Sequence, residues 1–171
     1  YLMPIAYFVE RYGLEHFSFS MNAMYEITKR HTAEYAIRPY LARYPGECEE
    51  MLASWSSDPN FHVRRLVSEG TRPRLPWAKR MDVLGGDPLR NLALLDPLLD
   101  DDSGYVRRSV ANHLNDLSKD HKSITIQWIE GKLRKGWKHG PGMVRHALRS
   151  LAKSGDPEAL TLLEELSLRN H

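Results

Sequence analysis

Apolar side chains recur every three to four residues along most of the chain, as they do on one side of an α-helix. Around residue 110, four of them fall within about 80° of one another on a helical wheel: Val106, Val110, Leu114 and Leu117. The far side of the same wheel is polar and carries Arg108, Asn112, Asn115 and Asp116. Since no segment alternates polar and apolar positions as a half-buried strand does, the pattern predicts an all-α protein.

One pattern containing Val-Arg occurs three times, at a spacing of about 40 residues. The copies are residues 60–70, 104–113 and 142–151. That period is typical of HEAT-like repeats, which are helical hairpins that bury their apolar faces against neighbouring hairpins. The amphipathic stretches between the copies, predicted to be the partner helices, are residues 47–55, 89–99 and 124–133. A looser copy at 36–39 indicates an earlier repeat.

Helix starts punctuate this pattern. Asp accepts hydrogen bonds from free N–H groups of a first turn and Pro suits the first helical position. Asp-Pro pairs occur at 58–59, 87–88, 96–97 and 156–157. We expect one repeat domain over residues 1–171, coiled as a right-handed solenoid whose second helices line a basic concave face. Because the chain does not open with Met, we also expect residues to precede Tyr1.

Composition excludes several classes of function. The chain is 42% hydrophobic and 27% charged, which is ordinary for a globular protein, and it has no apolar run long enough for a membrane span. Cys48 is the only cysteine, so we expect neither a disulfide nor a thiolate metal cluster, and a cytoplasmic location. Its acidic neighbours make it a poor nucleophile. The histidines lack a zinc-binding spacing, and no glycine-rich phosphate loop is present. We therefore expect no metal and no cofactor.

Charge is distributed unevenly along the repeats. Residues 61–80 and 132–149 are strongly basic, whereas acidic residues concentrate elsewhere. Such blocks predict a basic groove for a polyanion such as DNA. The predicted DNA-binding residues are Arg65, Arg72, Arg74, Arg108, Asn112, Asn115, Lys135 and Lys138, with His139 beside the last two.

Asp116 is the leading candidate for a catalytic group. It shares the polar side of its helix with Asn112 and Asn115, and all three residues lower helix propensity without capping a helix end. We interpret this cluster as functional. The alternative is a structural salt bridge between Asp116 and Arg108.

Three longer motifs resemble one family. Residues 33–41, 68–78 and 107–119 are similar to the AlkC branch of the DNA alkylation repair glycosylases, whose AlkD branch shares the HEAT-like fold. The resemblance covers about Thr32 to Leu163. It implies a monomeric enzyme that excises cationic alkylpurines, chiefly 3-methyladenine, from double-stranded DNA without a cofactor and without flipping the base. It also implies an essential acid at Glu34.

The chemistry of such a substrate defines the candidate catalytic residues. An alkylated purine that is already cationic leaves readily, so the enzyme has to stabilise an oxocarbenium-like sugar and place a water molecule. A carboxylate does both, and an aromatic face adds cation–π stabilisation. The candidates are Asp116, Glu34 and Trp77. For Glu34 the alternative is a first-turn residue favoured by the helix dipole, and for Trp77 it is a packing role.

A second function stays open at this point. HEAT-like repeats often serve as scaffolds, and a fold does not determine a function. The chain is therefore alternatively a non-catalytic module that binds DNA or an acidic protein.

Overall fold

Helices account for all the regular structure in the computed structural model, which describes residues 3–168. They are α1 (Met3–Tyr12), α2 (Phe17–Thr28), α3 (Arg38–Arg43), α4 (Pro45–Trp55), α5 (Phe61–Glu69), α6 (Pro88–Leu95), α7 (Gly104–Asp120), α8 (Lys122–Arg134), α9 (Gly140–Ala147), α10 (Arg149–Lys153) and α11 (Pro157–Leu168). Short 3-10 turns cover Leu84–Gly86 and Asp96–Leu98. The all-α prediction is confirmed.

The second helices of the repeats form one continuous layer. Helix α5 packs beside α7, α7 packs beside α9, and α10 continues α9 after a break at Leu148. Helices α4, α6, α8 and α11 are their partners. The structure is therefore a solenoid of HEAT-like helical repeats, as the period predicted.

Ion pairs show that α5 and α7 run in the same direction. Arg64, near the start of α5, contacts Asp101, which lies just before α7. Arg74, beyond the end of α5, contacts Asp120 at the end of α7. The two edges of the layer are thereby defined, one near Asp101 and the other near Asp120.

Two of the Asp-Pro pairs start helices as predicted. Asp87 accepts a hydrogen bond from Leu89 N at 2.9 Å at the start of α6, and Asp156 accepts one from Ala159 N at 3.1 Å at the start of α11. The other two pairs differ. Residues 58–59 form a turn before Asn60, which caps α5, and residues 96–97 open a 3-10 turn.

The predicted earlier repeat at 36–39 does not form a full hairpin helix. Ala36 and Ile37 lie in a turn, and Pro39 occupies one of the first positions of the six-residue helix α3. Proline has no N–H to continue a preceding turn, so the new helix starts there.

The buried stripe predicted for α7 is confirmed, since Val106, Val110, Leu114 and Leu117 are all 0% exposed. Cys48 is fully buried as well, and burial, together with Glu47 and Glu49, raises the pKa of its thiol to about 12. Such a thiol is a poor nucleophile. None of the helices between Met3 and Leu168 is both long and apolar enough to cross a membrane.

Polar side chains also lie inside this core, and His113 is one of them. His113 of α7 is 0% exposed; its Nδ1 lies 2.9 Å from Ser68 O and its Nε2 lies 3.0 Å from Asn91 Nδ2. Burial lowers the pKa of the imidazole from 6.5 to about 3, and Arg72 and Arg38 add to the effect. The ring is therefore neutral in the folded protein at ordinary pH.

This histidine makes the stability of the protein depend on pH. In the unfolded chain it titrates near 6.5 and in the folded protein near 3, so its contribution is complete above pH 6.5 and is lost as the pH falls towards 3. We expect the free energy of unfolding to decrease by up to about 1.4 kcal/mol per pH unit in that window. Urea denaturation between about pH 7 and pH 4 measures this slope. The slope should be smaller in His113→Gln, and equal slopes in the two proteins would contradict the assignment.

Candidate functional site

A chain of ion pairs connects three structural elements across one face of the α5–α7 layer. We call it the ion-pair ladder, and its members in order are Glu34, Arg65, Glu69, Arg72 and Asp116. Glu34 lies in the turn before α3, Arg65 and Glu69 belong to α5, Arg72 lies just beyond α5, and Asp116 belongs to α7. The sequence-predicted carboxylates Glu34 and Asp116 thus stand at its two ends.

The half of the ladder nearer Glu34 is formed by Arg65. Its Nη1 donates to Glu34 Oε2 at 2.8 Å, and its Nη2 lies 3.5 Å from Glu69 Oε1. Arg65 also stacks on an aromatic ring, because its Cζ lies 4.5 Å from the centre of the Tyr105 ring. Held from two sides, the guanidinium has a fixed position between the two carboxylates.

The half of the ladder nearer Asp116 is formed by Arg72, which bridges α5 and α7. Its Nη1 donates to Glu69 Oε1 at 2.9 Å, while Nε and Nη2 donate to the two oxygens of Asp116 at 2.9 and 3.3 Å. Ser109 Oγ donates to Glu69 Oε2 at 2.6 Å. Burial acts to lower the pKa of Arg72, but the pairs with Asp116 and Glu69 outweigh it and raise that pKa above its ordinary value.

The ladder is deeply set and its charges do not balance. Asp116 is 2% exposed and Glu34 is 9% exposed, so the Glu34 end is the more accessible one. Three carboxylates and two guanidinium groups are linked, so the ladder counted by itself carries one more negative than positive charge. Arg38, Arg74 and Arg149 lie near enough to interact with Asp116. Attraction of anions alone does not account for carboxylates on this face.

Glu34 lies in the turn of residues 34–37 that leads directly into α3, where Ile37 N donates to Ala33 O at 3.1 Å. Thr32 Oγ1 donates to the same carboxylate oxygen that receives Arg65. Gly70 permits the approach of this segment to α5, because a Cβ there would lie 2.8 Å from Ile37 Cγ2.

Beside the ladder, a loop presents an exposed tryptophan. We call residues 71–83 the Trp77 loop. Trp77 is 97% exposed and its φ is 65°, a left-handed conformation that a residue with a Cβ rarely adopts. The packing role that was the alternative for Trp77 is therefore wrong. Trp55 and Trp137, by contrast, are buried in the core.

Two side chains that follow Glu34 in the sequence, Tyr35 and Arg38, hold the backbone of this loop. Arg38 donates to the carbonyl oxygens of Arg72 and Lys79, each at 2.8 Å, and Tyr35 Oη donates to Pro76 O at 2.9 Å. The loop backbone is thus fixed although Trp77 itself projects into solvent.

The exposed arginines of the loop lie at the Asp120 edge. Arg74 donates to both oxygens of Asp120, at 2.8 and 2.6 Å, and Arg80 Nη2 lies 2.7 Å from the same carboxylate. Hydrogen bonding by Arg74 lowers the pKa of Asp120. The Arg74 side chain is 37% exposed against 7% for Arg72, so Arg74 is the one able to meet a ligand.

A second polar cluster continues the same face towards α10. His146 Nε2 lies 2.7 Å from Asn112 Oδ1, and Arg149 Nη2 donates to that oxygen at 3.1 Å. Arg108 lies on this face as well, and its positive charge, after burial and Arg149, contributes to lowering the pKa of His146. Positive groups therefore flank the ladder on the α10 side.

The structure corrects the alternative proposed for Asp116. Its salt bridge is formed with Arg72 and not with Arg108. Asn115, predicted to bind DNA, is 1% exposed and lies between α7 and α10. When its amide is oriented to satisfy its neighbours, it donates to Ser150 Oγ at 3.0 Å and to Ala147 O at 3.1 Å. This is the environment of a residue that joins two helices.

Lys135 and Lys138 lie away from the Trp77 loop. They are exposed in the loop between α8 and α9, where Asp100 accepts hydrogen bonds from the backbone N–H groups of Lys138 and His139 at 3.3 and 2.9 Å. This is the Asp101 edge of the layer. Within residues 3–168, no group of three or more potential ligands is arranged to hold a metal ion.

Sequence reasoning assigned no role to several residues of the site. They are Tyr35, Arg38, Glu69, Tyr105 and Arg149. Glu69 carried a signal, because it lies four residues after Arg65 and three before Arg72, the spacings at which side chains on a helix meet. The others act across elements, and a helical wheel contains no information about contacts between elements.

Comparisons with known proteins identify the family of this chain. Residues 28–152 match the family model of DNA alkylation repair enzymes. The protein YhaZ of Bacillus subtilis, described as uncharacterized, is 43% identical over 159 residues, which are 91% of this chain and 43% of YhaZ. The alkylpurine DNA glycosylase AlkC of Pseudomonas fluorescens, solved with DNA containing an abasic site analogue, superposes with a TM-score of 0.83 at 44% identity. That match covers 92% of this chain and 44% of AlkC, so the chain spans less than half the length of either relative.

The left-handed backbone of Trp77 gives a stability prediction. Glycine adopts φ near 65° without steric penalty, whereas alanine keeps the Cβ that clashes. We expect Trp77→Gly to be more stable than Trp77→Ala by about 0.5–1 kcal/mol. Urea denaturation of the two variants measures the difference. Equal stabilities would show that the loop relaxes once the ring is removed.

Proposed function

The chain belongs to the family of DNA alkylation repair enzymes, and we propose that it is a DNA glycosylase that releases cationic alkylpurines, foremost 3-methyladenine, from duplex DNA. The observation that carries this proposal is the ion-pair ladder. It keeps one excess negative charge beside an exposed tryptophan, on a face that otherwise bears arginines. Because the chain spans less than half of its relatives, the activity proposed is that of this repeat domain.

The substrate explains why the ladder contains no group that acts as an acid on the base. Alkylation at N3 or N7 of a purine places a positive charge on the ring, so the base departs as a neutral molecule without protonation. The remaining barrier lies in the sugar, which develops positive charge as the glycosidic bond breaks. A fixed anion lowers this barrier because its orientation is set before the reaction begins.

The carboxylates at the two ends of the ladder provide that anion. Asp116 is held by both Nε and Nη2 of Arg72, and Glu34 is held by Arg65 and Thr32. We propose that these two groups stabilise the oxocarbenium-like sugar and position the attacking water, and that Glu69 keeps the two arginines in place. The guanidinium groups of Arg65 and Arg72, whose side chains are 16% and 7% exposed, then hold carboxylates. They have fewer free N–H groups for the phosphate contacts predicted for them.

Trp77 supplies the aromatic face for the lesion. An electron-rich indole attracts a cationic base or sugar, and the ring is fully available at the tip of its loop. An exposed ring can reach a damaged nucleotide that stays within the duplex, and we propose that the base is not flipped out.

The more exposed cations are proposed to bind the DNA backbone. Arg74 and Arg80 lie at the Asp120 edge, and Arg108 and Arg149 lie towards α10. Guanidinium groups match phosphate oxygens with two parallel hydrogen bonds. Lys135 and Lys138 at the opposite edge are proposed to extend the contact along the duplex.

The first test compares two buried aspartates. We expect Asp116→Asn to slow the release of 3-methyladenine from N-methylated DNA by about 100-fold or more, because a preorganised charge is removed from the reacting sugar. Single-turnover release with chromatographic identification of the free base measures it. We expect a similar direction of change for Glu34→Gln and for Trp77→Gly.

The control is Asp101→Asn. Asp101 accepts from Nε and Nη2 of Arg64 at 2.6 and 3.0 Å and joins the same two repeats, but it stands outside the ladder. This variant alters a bidentate pair of the same kind, with side chains 17% and 5% exposed against 7% and 3% for Arg72 and Asp116, and should retain base release within about threefold. Equal losses in the two variants would assign Asp116 a structural role only. Absence of release by the unaltered chain, combined with tight DNA binding, would favour the non-catalytic binding module.

The exposed arginines are tested by the salt dependence of binding. For duplex DNA containing an abasic site analogue, we expect log K to fall linearly with the logarithm of the salt concentration. Arg149→Ala should reduce the steepness of that fall by about one unit, because one phosphate contact is lost. Fluorescence anisotropy between about 50 and 200 mM salt measures it. An unchanged slope would place Arg149 outside the interface.

A further inference from the structure

Both ends of the Trp77 loop meet at one buried asparagine. Asn91 of α6 is 0% exposed. Its Nδ2 donates to Thr71 O at 3.2 Å, where the loop leaves α5, and its Oδ1 accepts from Leu84 N at 2.8 Å, where the loop returns. A carboxamide carries a donor and an acceptor on one plane, so this single side chain ties the two ends of the loop together.

His113 fixes the orientation of that amide. Its Nδ1 lies 2.9 Å from Ser68 O, and because a carbonyl oxygen only accepts, Nδ1 carries the proton. The other ring nitrogen, Nε2, is then an acceptor, and it lies 3.0 Å from Asn91 Nδ2. The second N–H of Asn91 is thereby used, and rotating the amide by 180° would break all of its contacts.

The same pair satisfies the carboxyl end of α5. The last carbonyl groups of a helix have no partner within the helix. Ser68 O is bound by His113, and Thr71 O, in the turn that follows α5, is bound by Asn91. Glu69 and Arg72 of the ion-pair ladder project from this short segment, so it belongs to the site as well as to the core.

The position of Trp77 depends on these connections. The ring itself is 97% exposed and its backbone is held in a left-handed conformation. Its location is therefore set by the backbone of the loop. Arg38 and Tyr35 hold the middle of the loop, and Asn91 holds its ends.

We propose that Asn91 and His113 are positioning residues that close the base of the Trp77 loop and so hold Trp77 where it meets the damaged nucleotide. The expected loss of base release rests on the proposed glycosylase function, whereas the contacts of Asn91 and His113 with the loop do not. Breaking the pair releases the ends of the loop while the apolar contacts between α5, α6 and α7 remain. Base release then falls because a displacement of about 1 Å at a reacting centre lowers the rate by up to about 100-fold.

Two variants of His113 separate positioning from packing. In His113→Gln the side-chain oxygen can take the place of Nε2 and accept from Asn91. In His113→Asn the side-chain amide can replace Nδ1 and donate to Ser68 O, but nothing reaches Asn91. We expect single-turnover base release to fall at least about tenfold in His113→Asn and to stay within about twofold in His113→Gln. Affinity for DNA with an abasic site analogue should change less than about threefold in both, because Asp120 still holds Arg74 and Arg80 of the loop.

A second measurement does not depend on activity. Lys79 and Arg80 are exposed in the loop and are followed by bonds that trypsin cleaves. We expect cleavage there to be at least about fivefold faster in His113→Asn and Asn91→Ala than in the unaltered chain. It should stay unchanged in His113→Gln, under conditions in which urea denaturation shows each variant to be folded.

Whether Asn91 and His113 act through Trp77 is tested in the Trp77→Gly variant, which lacks the indole ring. If the pair acts through Trp77, the loss caused by His113→Asn should shrink to less than about threefold in Trp77→Gly. Equal base release and equal cleavage in the two His113 variants would overturn the proposal. If the unaltered chain releases no base, the proposed function fails, and the cleavage rates still decide whether the pair closes the loop.

Discussion

The contact between Arg72 and Asp116 is the constraint on which the site depends. A buried guanidinium is tolerated only when its donors are used, and removing one partner of such a pair costs about 3–5 kcal/mol. Arg72 uses its donors on two carboxylates from two different helices. The end of α5 and the carboxyl-terminal part of α7 are consequently held at a set separation, and Glu69, Arg65 and Glu34 continue the ladder from there.

The repeat architecture produces this constraint twice, with different results. Arg64 with Asp101 and Arg72 with Asp116 are both bidentate pairs between consecutive repeats. The first lies at the edge where α7 begins, and Arg64 also donates there to the carbonyl oxygen of Asp58. The second lies beside the loop that carries Trp77. The same kind of bidentate pair thus lies near both ends of α7, and the pair near the carboxyl end adjoins the Trp77 loop and the Glu34 turn.

The sequence predicted the repeats and the buried stripe of α7 because both follow from regularly spaced apolar residues. The helical wheel also placed Asp116 on the polar side of α7, where its carboxylate contacts Arg72. The wheel could not show that Asp116 contacts Arg72 and not Arg108. It describes directions around one axis, whereas Arg72 lies beyond the end of a neighbouring helix. For the same reason Asn115 was assigned to an open surface, although α10 covers it. Helix α3 does not follow the repeat pattern because Pro39 sets its start. The guanidinium of Arg38 donates to the backbone of the Trp77 loop.

The proposed function makes two opposed electrostatic demands, and the charges that meet them differ in how deeply they are buried. A DNA backbone requires cations on the surface, and a sugar that develops positive charge requires an anion nearby. If both kinds of charge were equally exposed, the carboxylates would repel the phosphates and weaken binding. Here Asp116 is 2% exposed and is shielded by Arg72, while the Arg74 side chain is 37% exposed and the Arg80 side chain 62%. In the proposed function, phosphates therefore meet guanidinium groups first, and the carboxylates act at short range on the one nucleotide that lies against the ladder. Since screening by salt reduces the outer interactions far more than the buried ones, we propose that DNA binding and base release respond to different parts of one charge pattern.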